Sequence, residues 1–180
     1  SDVPFFLHGG ACLGVGRGDE VVPLPDTDDW HVLVIWPGVT LSTREVYEGL
    51  PRALTRSRIL SSMKGFNPGR PPRAAGEESS SAEGGQAGEA AQARPVAVQN
   101  DLEETVFRRL PHLRRIKQQL LEAGATASAL TGSGSAIFGL FGSARGLDRL
   151  GKALSGDKVA VFQCRTLSRK AYCFNLFKRS

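Results

Sequence analysis

Residues 130–141, LTGSGSAIFGLF, decide the fold of this chain. Two apolar runs, 125–130 and 136–141, flank four residues that are only glycine and serine, and this pattern predicts two strands joined by a tight loop. Glycine reaches positive φ at little cost and lets a ligand approach the backbone, so the hydroxyls and N–H groups of the loop are candidates for binding an anion. A plain hairpin turn explains the same residues. The four loop residues are Gly132, Ser133, Gly134 and Ser135.

Two common phosphate-binding motifs are excluded at this loop. A Walker loop needs a lysine after its last glycine, and none follows here. Ile137 stands where a dinucleotide-binding fingerprint needs its third glycine. Any anion site at this loop must therefore be of another kind.

The composition is that of a globular protein. With 180 residues, of which 41% are hydrophobic, the chain can build one domain with a proper core, or one and a half domains. No apolar run approaches the length of a membrane span. The formal net charge of +5 suits either nucleic acid or a phosphorylated small molecule. Because the basic residues are spread out and few aromatic residues lie among them, we expect no nucleic-acid partner and no membrane contact.

Cysteine and histidine usage argues against disulfides and structural metal sites. The three cysteines are an odd number without metal-ligand spacing, and the three histidines are scattered away from them. We therefore expect a reducing compartment, no disulfide framework and no protein-bound structural metal.

The N-terminal part predicts a hairpin and one notable carboxylate. Residues 1–24 alternate short apolar pieces with glycines, which predicts two short strands around the turn at 14–18. Asp2 stands just before Val3-Pro4, where proline favours an extended Val3, so its carboxylate is a candidate for catalysis or simply a cap or turn residue. The start at SDVPFF, without methionine or a signal-like pattern, leads us to expect an absent upstream portion.

The next segment predicts a strand followed by a short helix. Residues 30–36, WHVLVIW, have the near-continuous apolar pattern of a strand buried on both faces. A helix start follows at Ser42 or Thr43, and Tyr47 lies one turn after Thr43 on the same helical face. This pair is either a cap with a core aromatic, or a hydroxyl and a ring presented to a flat ligand such as a nucleobase.

Residues 68–95 differ in composition from the rest of the chain. They contain no Leu, Ile, Val, Met or aromatic residue. Such a segment buries too little apolar surface to offset the entropy of ordering it, so we predict a disordered surface insertion without a functional site.

The C-terminal half predicts two consecutive helices before the glycine-serine loop. Asn100 is placed to cap the first, with Glu103 reaching back as in a capping box, and Pro111 begins a second helix that Gly124 ends. The cations of the second helix form either a solvated face or a phosphate contact: Arg114, Arg115 and Lys117.

After the loop, the pattern predicts a helix at 144–154, a strand at 158–164 and an edge strand at 171–176. This order indicates an α+β domain with helices packed on one face of a mainly antiparallel sheet.

Four separated pieces resemble one family. SDVPFF with the following glycine-rich hairpin, PGVTLST with Tyr47, NDLE and LTGSGSAIFGLF occur in the same order as in the 4-diphosphocytidyl-2-C-methylerythritol kinases of the GHMP small-molecule kinase superfamily. The resemblance covers essentially all of the chain except 68–95. It implies the GHMP kinase C-terminal fold preceded by the last strands of the N-terminal domain.

The resemblance also implies chemistry. It suggests ATP-dependent phosphorylation of the 2-hydroxyl of the methylerythritol unit in the non-mevalonate isoprenoid pathway, with Mg²⁺ accompanying ATP. Asp2 matches the catalytic aspartate, which would accept the hydroxyl proton or orient the alcohol. Thr43 and Tyr47 match positions that contact the cytidine end of the substrate. The glycine-serine loop, from Gly132 to Ser135, would border the reacting phosphate.

Part of the family pattern has no match in these 180 residues. The N-terminal half, with its ATP phosphate loop and an assisting lysine, is not in these residues, so we expect the 180-residue chain alone to be inactive. We divide it into a remnant of the N-terminal kinase domain at 1–28, a connection with the start of the C-terminal domain at 29–67, the disordered insertion at 68–95 and the C-terminal domain at 96–180. A bacterial cytoplasmic location is implied, or a plastid location in a plant or alga.

Two alternatives remain open at this point. The chain is another GHMP enzyme, acting on homoserine, a sugar or a mevalonate phosphate, or it is a non-catalytic binding module that keeps the fold. The oligomeric state does not follow from the sequence.

Overall fold

A computed structural model describes residues 3–15, 20–26, 30–50 and 98–178. The candidate Asp2 and the predicted insertion at 68–95 lie outside these ranges. The proposed division into four segments therefore stays a prediction.

The N-terminal part contains a helix that the sequence pattern did not predict. Helix α1 spans Val3–His8, strand β1 spans Cys12–Val15, and strand β2 spans Glu20–Pro23. The two strands pair antiparallel, which confirms the predicted hairpin. The extended conformation expected for Val3 was wrong, because proline is well tolerated in the first turn of a helix. Gly9, at φ 61°, ends α1 in the left-handed region, and its N–H donates to Phe5 O at 3.0 Å.

A four-stranded sheet forms the centre of the fold. Its strands run antiparallel to their neighbours in the order β4, β5, β3, β6. Since β5 lies between β3 and β4, the chain must cross from β3 over the sheet before it reaches β4, a split βαβ arrangement. The strand bounds are His31–Trp36 for β3, Ala127–Leu130 for β4, Ile137–Phe141 for β5 and Ala160–Arg165 for β6.

Five further helices complete the described part of the chain. They are α2 at Thr43–Glu48, α3 at Glu103–Arg109, α4 at Pro111–Glu122, α5 at Leu147–Leu154 and α6 at Arg169–Phe177. Helix α4 packs on β4 and β5, α5 packs on β6 and β3, and α3 packs on α4. The predicted α+β fold with an antiparallel sheet is confirmed. Among the described residues, none of the helices has both the length and the apolar character needed to cross a membrane.

Strand β3 shows which face of the sheet carries the core. Leu33 and Ile35 are fully buried, whereas Trp36 is 42% exposed. The prediction of a strand buried on both faces was wrong, because β3 alternates like a strand with one covered face. The buried cluster includes residues from the helices as well as the strands, among them Val46, Val106, Leu113, Leu120, Ile137 and Leu147.

The C-terminal segment is a helix, so the edge strand predicted at 171–176 was wrong. The Ser168 hydroxyl caps α6 by accepting a hydrogen bond from Ala171 N–H at 3.2 Å. Helix α6 then holds the N-terminal segment: Arg169 Nη2 donates to Ala11 O at 2.9 Å, and Tyr172 Oη donates to Phe6 O at 2.8 Å. These partners lie at opposite ends of the sequence, and a local pattern cannot show them.

Candidate active site

Two loops that are far apart in the sequence meet at one end of the sheet. The first follows β3 and leads to the start of α2, and the second connects β4 to β5. Thr43 Oγ1 and Ser133 Oγ lie 2.9 Å apart, within hydrogen-bond distance, with either hydroxyl as the donor. The structure therefore brings together two of the residues that the sequence nominated separately, 90 positions apart.

A second contact joins the same loops. The Ser135 hydroxyl donates to Val39 O, and Ser135 is only 3% exposed. Its side chain thus fastens the loop after β3 to the loop after β4. A ligand contact by Ser135 stays a prediction. Because the hydroxyl proton is donated to Val39 O, a hydrogen bond from Ser135 to a phosphate would have to come from the backbone N–H.

Helix α2 presents Thr43 and Tyr47 at this junction. It begins after Ser42, whose hydroxyl accepts a hydrogen bond from Glu45 N–H at 3.4 Å, as predicted from the cap signal. Val46 is fully buried and anchors the helix in the core. Tyr47 is 58% exposed, so it is not the core aromatic of the simpler interpretation. Its exposed ring, one turn after Thr43, is available to stack on a flat ligand.

The β4–β5 loop has a backbone that requires glycine. Gly132 and Gly134 have φ values of 56° and 87°, in the left-handed region that other residues adopt only at a cost. Gly134 N–H donates to Thr131 O at 3.0 Å, and Thr131 N–H donates to Ala136 O at 2.9 Å. The positive φ predicted from the glycines is confirmed. Two of the N–H groups, however, close the loop on itself, so an anion would have to use other groups.

Asn100 and Glu103 contact this loop, and the sequence analysis missed that role. Asn100 Nδ2 donates to Leu130 O at 2.8 Å and to Gly132 O at 2.7 Å. Glu103 Oε1 accepts a hydrogen bond from Leu130 N–H at 2.8 Å. The predicted capping box was wrong, because α3 begins at Glu103 after Leu102, with no side-chain cap. The available signal was the NDLE piece, which the resemblance contained but which was interpreted locally.

The cations of α4 face carboxylates of α3. Lys117 Nζ lies 2.6 Å from Glu103 Oε2, and their side chains are 25% and 16% exposed. Arg114 Nη2 lies 2.9 Å from Glu104 Oε2 in a more exposed pair. The interpretation as a purely solvated face is therefore wrong for Lys117, which neutralises the half-buried Glu103. A phosphate contact by these residues stays a prediction.

Metal ligands are lacking in the part of the chain that the structure describes. Within residues 3–15, 20–26, 30–50 and 98–178, no group of three or more His, Cys, Asp or Glu side chains could hold a metal ion. We therefore name none of the described residues as a ligand for Mg²⁺, and a contribution from Asp2 stays a prediction.

Comparison with known proteins identifies the part of the chain that contains the β4–β5 loop. The family described as "GHMP kinases C terminal" matches residues 83–158, which include the β4–β5 loop and its contacts to Asn100 and Glu103. Residues 83–158 carry a GHMP kinase C-terminal domain. The resemblance inferred from the sequence pieces is confirmed.

Named relatives of this GHMP domain include one from Solibacter usitatus, called 4-diphosphocytidyl-2-C-methyl-D-erythritol kinase. It is 37% identical over 174 residues, which are 96% of this chain and 49% of the relative. The chain spans about half the length of the curated relatives it matches.

Two solved structures share the fold of the GHMP domain. One is described as 4-(cytidine 5'-diphospho)-2C-methyl-D-erythritol kinase, with a TM-score of 0.62 and 24% identity over 92% of this chain and 53% of that chain. The other is homoserine kinase from Cytophaga hutchinsonii, with a TM-score of 0.56 and 18% identity over 92% of this chain and 50% of that chain. At these identities both show the fold alone, so the fold does not separate the two activities.

Proposed function

We propose that this protein is a small-molecule kinase that uses ATP to phosphorylate the 2-hydroxyl of 4-diphosphocytidyl-2-C-methylerythritol. The observation that carries the proposal is the junction of Thr43 with Ser133. Thr43 belongs to the motif that the resemblance places at the cytidine end of the substrate. Ser133 belongs to the loop that the resemblance places beside the reacting phosphate. The name of the Solibacter usitatus relative supports the same substrate.

The proposal gives each part of the junction a task. The exposed Tyr47 ring stacks on the cytosine base, and the Thr43 hydroxyl contacts the same end of the substrate. The loop from Gly132 to Ser135 lies beside the transferring phosphate. Phosphoryl transfer asks mainly for in-line positioning and stabilisation of charge, which a fixed, glycine-rich loop can supply.

Two groups complete the proposal. Asp2, outside the described residues, accepts the proton of the attacking hydroxyl or orients it. Mg²⁺ is bound with ATP and offsets the charge of the phosphates. A cytoplasmic or plastid location stays a prediction that follows from the resemblance.

Turnover with a panel of alcohols tests the substrate. The protein, expressed with any coding sequence that precedes Ser1, is assayed for ADP release with the cytidyl-methylerythritol substrate, homoserine and mevalonate. We expect release with the cytidyl substrate alone and its loss in Asp2→Asn. Release with homoserine instead would assign the protein to another GHMP activity, and release with none would favour a binding module. The 180-residue chain, assayed in parallel, is expected to release no ADP.

Binding of cytidine diphosphate tests the role of Tyr47 separately from turnover. Tyr47→Phe keeps the ring and should keep the affinity, whereas Tyr47→Leu should weaken binding about tenfold, the order expected for loss of one base stack. Phe162→Leu is the control, because Phe162 is also an exposed ring, on β6. Equal affinity in Tyr47→Leu and Phe162→Leu would contradict stacking on Tyr47.

A further inference from the structure

The backbone N–H and carbonyl of Leu130, the last residue of β4, both form hydrogen bonds with side chains at the start of α3. Leu130 donates its N–H to Glu103 Oε1, and its carbonyl accepts from Asn100 Nδ2. Leu130 is buried, and among the described strands β4 has a neighbour in the sheet on one side only, so these groups need partners from elsewhere. Asn100 and Glu103 supply those partners at the point where the chain leaves the strand.

Asn100 also forms a hydrogen bond with the β4–β5 loop. Its amide nitrogen also donates to Gly132 O, while its amide oxygen accepts from Leu102 N–H at 2.9 Å. One planar group thus fixes the α3 start, the end of β4 and the loop at known distances. Because Ser133 follows directly, the direction of the Ser133 hydroxyl toward Thr43 depends on this hold.

The negative charge of Glu103 is balanced by Lys117. Its second oxygen pairs with Lys117 at 2.6 Å, so the half-buried carboxylate keeps its charge balanced while its first oxygen holds Leu130 N–H. Hydrogen bonds to a charged acceptor are stronger than those to a neutral one, and a buried charge without a partner is costly. Lys117 therefore supports the contact of Glu103 to the loop.

We propose that Asn100 and Glu103 are positioning residues, which hold the loop from Gly132 to Ser135 in the geometry that meets Thr43 and receives the substrate. The identity of that substrate rests on the proposed function, whereas the hold on the loop does not. Neither residue contacts the reacting atoms in this proposal. Both act through the loop backbone.

Two isosteric variants and one matched control test the proposal. Asn100→Asp keeps the acceptor for Leu102 N–H but replaces the donor that faces two carbonyl oxygens with an oxygen atom. Glu103→Gln keeps an oxygen for Leu130 N–H but removes the charge that pairs with Lys117. Glu104→Gln is the control, because Glu104 neighbours Glu103 on α3 and its ion pairs go to Arg108 and Arg114.

Hydrogen exchange measures the hold without any ligand. The N–H groups of Leu130, Thr131 and Gly134 each donate a hydrogen bond in this region. We expect their hydrogen exchange to become about tenfold faster in Asn100→Asp and Glu103→Gln, the order expected for loss of one hydrogen bond. Glu104→Gln should change it less than about twofold. Unchanged exchange rates in the loop would overturn the proposal. So would exchange rates that rise equally throughout the core, including the rate of the Leu33 N–H. If Asn100→Asp does not fold, Glu103→Gln decides.

Turnover then separates the positioning role from the proposed function. With the cytidyl substrate, kcat/KM should fall about tenfold in both variants and stay unchanged in Glu104→Gln. If hydrogen exchange of the loop becomes faster in these variants while kcat/KM stays the same, the positioning role is overturned. If the unmodified protein turns over none of the substrates, the proposed function fails, and hydrogen exchange alone decides whether Asn100 and Glu103 hold the loop.

Discussion

Gly9 lies where α1 meets the C-terminal helix, and its replacement tests how the two ends of the chain are joined. A Cβ at this position would lie 2.2 Å from Tyr172 Cδ1 and 2.7 Å from Cγ. Ordinary carbon–carbon contacts are about 3.5–4.0 Å, so the ring would have to withdraw by roughly 1.3–1.8 Å. The withdrawal would also break the 2.8 Å hydrogen bond from Tyr172 Oη to Phe6 O.

The expected cost of Gly9→Ala follows from these contacts. Alanine at φ 61° costs about 1–2 kcal/mol in the left-handed region. The lost hydrogen bond adds about 1 kcal/mol, and displacement of the packed ring adds a similar amount. We therefore expect the free energy of unfolding to fall by about 3–4 kcal/mol in total.

A second glycine isolates the backbone contribution. Gly124, after the end of α4, has φ 94°, and a Cβ added there would have no atom within 4 Å. Gly124→Ala should therefore cost only the backbone strain, about 1–2 kcal/mol. Equilibrium urea denaturation gives both values, and hydrogen exchange of the β1–β2 hairpin detects opening of the N-terminal segment alone. If Gly9→Ala costs no more than Gly124→Ala by either measurement, the reasoning from the Tyr172 contact is refuted.

Three further substitutions test the core, a cap and a surface ion pair by urea denaturation. Leu33→Ala removes a fully buried side chain and should cost about 2–5 kcal/mol; a loss below about 1 kcal/mol would contradict the assigned core. Ser42→Ala removes the cap of α2 and should cost about 0.5–2 kcal/mol, whereas Ser42→Asn should restore most of it. Arg44→Ala breaks only the exposed pair with Glu48 and should change stability by less than about 0.5 kcal/mol; a larger loss would show an unrecognised contact.

The central part of the fold was predictable because its signals are local. The apolar runs around the glycine-serine loop became β4 and β5, each shortened by one or two residues. Helix α4 follows from Pro111 at its start and the apolar spacing that places Leu113 and Leu120 in the core. In these elements, local preference and tertiary packing favour the same structure.

The two ends of the chain were not predictable in the same way. Both α1 and α6 contain aromatic residues that favour strands, yet both are helices. Their stability depends on each other, through Tyr172 to Phe6 and Arg169 to Ala11. Contacts of this kind override weak local propensity, and no window of the sequence contains both partners.

In the candidate site, a sequence motif indicates the correct residues but predicts the wrong hydrogen-bond partners for them. Asn100 followed by Glu103 has the spacing of a capping box, and in an isolated helix each would satisfy the backbone of the other. Here Leu130 N–H and the carbonyls of Leu130 and Gly132 compete for the same side chains. Leu130 is buried at the end of β4, so its N–H and its carbonyl need partners within the protein. The Glu103 carboxylate and the Asn100 amide nitrogen supply them, while the Asn100 amide oxygen accepts from Leu102 N–H next to the start of α3. A capping signal near a glycine-rich loop is therefore a candidate for such long-range contacts.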